Sequence, residues 1–170
     1  FEKYVLDEFP KHTGYLAFSG SSSTTSPGTF IGVNDFKGST SPTLSNSPTG
    51  QSVIDPGVGP FTFEFFINVP SGTQNDNQII AQKLSGSNGI TLCLSSSADK
   101  SSPLGEVDFI ALIKSESLSL TASISLDKGS FSHVAAVLDR SAGPGQLLIY
   151  KNAVMTASSS YGSLGDIDFK

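Results

Sequence analysis

The sequence predicts an all-β fold, an antiparallel sandwich of two sheets, and three observations carry that reading. Two segments alternate apolar and polar residues with period two, as a strand does when one face lies in the core and the other in water. The shorter apolar runs around them are separated by clusters of Gly, Ser, Asn and Pro. The composition, 37% hydrophobic and 15% charged with 17 Gly in 170 residues, suits short strands joined by turns better than charged amphipathic helices.

In chain order, residues 1–14 read as an N-terminal arm or linker. Its Tyr4, Val5, Leu6 and Phe9, set among charged residues, suit docking on a partner or packing along a sheet edge equally well. A single domain is expected over 15–170, long enough to bury a core between two sheets. Its first apolar run is Tyr15 to Phe18, followed by a Ser/Thr/Gly loop from Ser19 to Gly28. A second loop, Gly38 to Pro60 with Pro42, Pro48, Pro56 and Pro60, exceeds the roughly 12–15 residues usual for a structureless connection and calls for a functional surface or packing across the sandwich.

The clearest strand is Phe61 to Val69, with Phe61, Phe63, Phe65, Ile67 and Val69 on one side and Thr62, Glu64 and Asn68 on the other. Runs at Ile79–Ala81, Ile90–Leu94 and Val107–Ile113 follow. Leu118, Leu120, Ala122, Ile124 and Leu126 then alternate with Ser119, Thr121, Ser123 and Ser125, an antiparallel strand with one wet face. Phe131–Leu138 and Leu147–Lys151 come next, joined by a hairpin turn over Arg140 to Gln146 that carries Gly143, Pro144 and Gly145. The total is about eight strands at sandwich spacing.

Several classes are excluded. With 10 basic against 15 acidic residues the net charge is -5, so no sequence-wide positive field collects nucleic acid or anionic lipid. One cysteine, Cys93, can neither close an internal disulfide nor build a structural zinc site. The longest apolar run, Phe109 to Ile113, is far short of the roughly 20 residues of a membrane-spanning helix, so no membrane insertion is expected. The chain opens on Phe1 without a signal-like segment and reads as a piece of something longer.

The order of these segments resembles the laminin G-like jelly roll of the concanavalin A-like lectin/glucanase superfamily. Leu16-Ala17-Phe18-Ser19-Gly20 is similar to its opening Phe-x-Gly strand. Phe61-Thr62-Phe63-Glu64-Phe65-Phe66-Ile67 resembles F-T-x-x-x-W-[IV], with Phe66 in place of Trp. Gln78-Ile79-Ile80-Ala81-Gln82-Lys83 looks like the strand before a Gly-bearing hairpin. Phe131-Ser132-His133-Val134-Ala135 through Asp139, then Leu148-Ile149-Tyr150-Lys151-Asn152-Ala153, resemble W-H-H-V-A-x-x-x-D and L-Y-x-D-G. The resemblance spans Tyr15 to Ala157. Asp166–Lys170 reads as only the beginning of the family's closing strand.

The resemblance implies a jelly-roll fold and a lectin-like, non-catalytic module that recognises a surface glycan, on an extracellular, cell-surface or virion-surface protein. The alternative is a structural or decoration domain that contacts neighbouring subunits, as a homo-oligomer through its parent assembly; a glycoside hydrolase is a minor alternative. Glucanases of this fold carry E-x-D-x-E or E-x-D-x-x-E on an inner strand, and Glu106-Val107-Asp108 begins that pattern. Residues 110 and 111 are Ile and Ala, so the second catalytic carboxyl is missing. His133 matches a histidine that generally packs and hydrogen-bonds inside the sandwich. Calcium is the ion the resemblance implies; Asn75, Asp76 and Asn77, and the pair Asp166 and Asp168, are the oxygen donors available, although as turn formers they need no metal. For a glycan the expected platforms are Tyr161, Tyr150 and Phe36, with Asn77 as a hydrogen bonder.

Overall fold

The computed structural model describes residues 56–71, 78–95, 105–141, 143, 145–160, 162–167 and 169, all within one compact unit, Asp35–Lys170. Eight strands are present among them: β1 (Phe61–Asn68), β2 (Gln78–Ser85), β3 (Asn88–Ser95), β4 (Glu106–Ser115), β5 (Leu118–Asp127), β6 (Phe131–Asp139), β7 (Gln146–Lys151) and β8 (Val154–Ser158). They form two antiparallel four-stranded sheets, ordered β1-β6-β7-β8 and β2-β3-β4-β5, and the described residues include no helix. The expected all-β sandwich of the jelly-roll type is the fold observed. The run at Tyr15–Phe18 and the arm over 1–14 lie outside the described residues.

The core follows from strand periodicity. On β4, Val107, Phe109, Ala111 and Ile113 are buried, and the register pairs them with Leu126, Ile124, Ala122 and Leu120 of β5. Across the sandwich β6 supplies Val134, Ala136 and Leu138, and β7 supplies Leu147 and Ile149. Phe65 of β1 meets Phe109 of β4 edge-on, ring centroids 5.8 Å apart, which ties the two sheets at their centre. At the margin Lys151 of β7 donates from Nζ to the Ser125 carbonyl and to Asp127 Oδ2 of β5, both at 3.1 Å.

Beyond β8 the chain adds Leu164, Ile167 and Phe169 to the core. Arg140 fastens this segment by donating to the Leu164 and Gly165 carbonyls, and Ser115 Oγ donates to the Asp166 carbonyl at 2.8 Å. Ile167 makes an isolated bridge to Gly57, so the residues expected to begin a closing strand contribute one bridge and two buried side chains among those described.

One strand, β8, escapes the apolar-run reading. It is an edge strand with a mostly exposed sequence, VMTAS, and its pairing rests on the tight turn at Asn152 and Ala153. Both turn residues adopt left-handed backbone, φ 51° and 65°, the conformation a two-residue hairpin turn of the right twist requires. The chain closes it by donation from Asn152 N–H to the His133 carbonyl and from His133 N–H to Asn152 Oδ1.

Two stability predictions follow from this geometry. Left-handed backbone costs an alanine more than a glycine, so Ala153→Gly should raise the unfolding free energy by about 0.5–1 kcal/mol in urea titration. Phe109→Ala, which empties the centre of the inter-sheet contact, should lower it by about 3–5 kcal/mol.

Candidate functional site

Because Val134, Ala136 and Leu138 must face the core, their neighbours on β6 face outward: His133, Ala135, Val137 and Asp139. On β1 the same rule turns Thr62, Glu64, Phe66 and Asn68 away from the core. The register then sets Phe66 beside His133, and Glu64 beside Ala135, with Tyr150 of β7 and Met155 of β8 continuing the Glu64 row. Two rows of one sheet face thus bring together two aromatic rings, an imidazole and a carboxylate.

Their geometry is well defined. The Phe66 ring is 72% exposed and lies against the His133 imidazole, centroids 4.9 Å apart and planes inclined at 48°. His133 Nε2 lies 2.7 Å from Glu64 Oε1, an ion pair when the imidazole is protonated. Glu64 Oε2 has no partner among the described residues. Ala135 carries only a methyl between Glu64 and Tyr150, so the row dips at its centre, and Tyr150 is half-buried on its far side. Strand spacing places the Glu64 and Tyr150 backbones about 10 Å apart, the span of one to two sugar rings. Phe131, 57% exposed, extends the apolar surface beside Asn68.

Two expectations change here. His133 was expected to pack inside the sandwich; it lies on the outer face, because the buried residues on either side of it, Ser132 and Val134, occupy the inward positions. The aromatic supply was expected from Tyr150, Tyr161 and Phe36, yet Phe66 is the most exposed ring among the described residues. The signal was present as parity: Phe66 interrupts a strand whose other Phe residues all fall on the opposite face. Tyr150 lies half-buried in the outward row that holds Glu64 and Ala135. Tyr161, Phe36, Asn77, Asn75, Asp76 and Asp168 lie outside the described residues.

Asp166 is exposed and sits beside Gly57, its Oδ1 being 3.6 Å from the point a β-carbon there would occupy. The neighbouring Arg140 guanidinium feels its field, an attraction that works against the burial that lowers the arginine pKa. That positive charge is the one a cation at Asp166 would have to displace or tolerate. Among the described residues no group of three or more His, Cys, Asp and Glu could hold a metal ion.

The acidic pair lies on the other sheet. Glu106 and Asp108 face outward on β4, opposite Asp127 and Ser125 of β5, and Ser125 Oγ donates to Asp108 Oδ1 at 3.1 Å. The next outward position is Ile110, and Ala111 is buried in the core. The place where strand geometry would put a third carboxyl therefore holds an aliphatic side chain that can neither give nor take a proton.

Neither the curated proteins nor the solved structures contain a match to this sequence. The family model Laminin_G_3, described as the concanavalin A-like lectin/glucanases superfamily, matches residues 36–168, more than three quarters of the chain. Together with the two-sheet antiparallel architecture, that match establishes that the chain belongs to the concanavalin A-like lectin/glucanase superfamily.

Proposed function

We propose that this domain is a non-catalytic, lectin-like module that recognises a surface glycan on the outer face of the β1-β6-β7-β8 sheet, within a larger extracellular, cell-surface or virion-surface protein. The observation that carries the reading is the exposed Phe66 ring beside the Glu64–His133 pair. A pyranose has an apolar C–H face that stacks on an aromatic ring and a rim of hydroxyls that needs acceptors and donors. Phe66 and Tyr150 supply the first, Glu64 and His133 the second. Strands hold these groups more rigidly than loops would, so little ordering entropy is lost on binding.

Hydrolysis is not part of the proposal. A glycosidase needs two carboxyls, about 5–5.5 Å apart in a retaining enzyme, and Ile110 stands where the partner of Glu106 and Asp108 would. A second reading, contact with neighbouring protein subunits, is favoured by the exposed Phe131, Val154 and Met155 on the same sheet and Ile79 and Leu84 on the other.

A glycan array followed by ligand-observed NMR tests the proposal. Specific binding by the parent should fall about tenfold or more in Phe66→Ala, the equivalent of one aromatic contact. The melting temperature should change little, because the ring is solvent-exposed. A blank array, combined with self-association that Met155→Lys abolishes in light scattering, would move the function to subunit contact. The platform itself uses no metal. Melting in calcium and in EDTA tests the ion separately: a higher temperature in calcium would assign Asn75, Asp76, Asn77, Asp166 or Asp168 to it.

A further inference from the structure

We infer that the Phe66 platform takes glycans of neutral or amino-bearing sugars and turns away those carrying carboxylate, sulfate or phosphate groups. The inference rests on the glycan reading above and narrows its ligand class.

Among the described residues, the outward positions of β1, β6, β7 and β8 include two acids, Glu64 and Asp139, and no Lys or Arg. The described cations on these strands or directly after them, Lys151 and Arg140, are both engaged elsewhere. Lys151 reaches across to the Ser125 carbonyl and Asp127, and Arg140 is turned onto the Leu164 and Gly165 carbonyls. His133, the one other titratable donor beside Phe66, is joined to Glu64, so any charge it gains is met by that carboxylate. Asp139 keeps its charge: hydrogen bonds from Ser141, including its N–H at 2.8 Å, hold the carboxyl below the usual range.

A sugar stacked on Phe66 therefore places its ring substituents beside Glu64, whose Oε2 accepts from a hydroxyl or, more strongly, from an ammonium. An anionic substituent there meets a carboxylate, and among the described residues no Lys or Arg on the outward positions compensates it. At contact distance in water, like-charge repulsion weakens binding by about fivefold, and salt screens it.

The experiment titrates the full chain by ligand-observed NMR at low salt with three β-1,4-linked oligosaccharides of equal length. They are built of glucosamine, N-acetylglucosamine and mannuronic acid, at a pH where the glucosamine amine is protonated. The glucosamine oligomer should bind about fivefold more tightly than the N-acetylated one, with the mannuronate weakest. Glu64→Gln should erase the advantage of the amine, and Thr62→Lys, which adds a cation two residues away on the same face, should restore mannuronate binding. Mannuronate binding as tightly as the neutral oligomer, or a preference that survives Glu64→Gln, would overturn the charge selectivity and leave the glycan reading standing. Binding of none of the three, or binding that Phe66→Ala leaves intact, would overturn both.

Discussion

The structure depends on the inter-sheet apolar core, and above all on the contact of Phe65 with Phe109 between β1 and β4. Two sheets can share a core only if each strand sends alternate side chains inward, and that requirement fixes the outward set as firmly as the inward one. A slip of β1 by one residue would bury Phe66 and expose Phe61, Phe63, Phe65 and Ile67 together. Four apolar side chains outweigh one, so Phe66 is held in water by its neighbours. The Glu64–His133 pair and the tilted Phe66–His133 contact then follow from register alone.

The same parity explains what was legible in the sequence. β1, β4, β5 and β6 announce themselves because apolar residues recur at their inward positions with period two. β8 carries no such face, being an exposed edge, and it exists through a turn whose left-handed residues include an alanine that no turn rule favours. His133 was misplaced by following a family motif one residue at a time instead of asking which of its neighbours the core needs. Phe66 shares the outward parity of Thr62, Glu64 and Asn68, which its place at the family's Trp position does not by itself reveal. Tyr150 was reachable because it lies in a short strand flanked by obvious core residues, Leu147 and Ile149.

Parity also fixes what β4 presents to solvent where the glucanases of the superfamily carry E-x-D-x-E. The outward positions of β4 are Glu106, Asp108 and Ile110, with an aliphatic side chain at the third. Asp108 accepts a hydrogen bond from Ser125 Oγ across the strand pair. On the opposite sheet Glu64 and His133 lie beside the most exposed aromatic ring among the described residues, Phe66.

A platform on a flat sheet differs in kind from a loop-lined pocket. It is rigid, so it loses little entropy on binding, yet it buries only one side of its ligand, and a ligand covered on one side binds weakly. One aromatic contact and one charge-assisted hydrogen bond correspond to a modest affinity. Repetition raises it: copies held in one assembly and facing an array of identical sugars convert later contacts into intramolecular ones, multiplying affinity by about 10²–10⁴ without a new contact. In that arrangement the glycan and subunit readings cease to compete. On the proposed reading, apolar edges such as Val154 and Met155 would order the copies and leave the Phe66 faces free to meet a glycan.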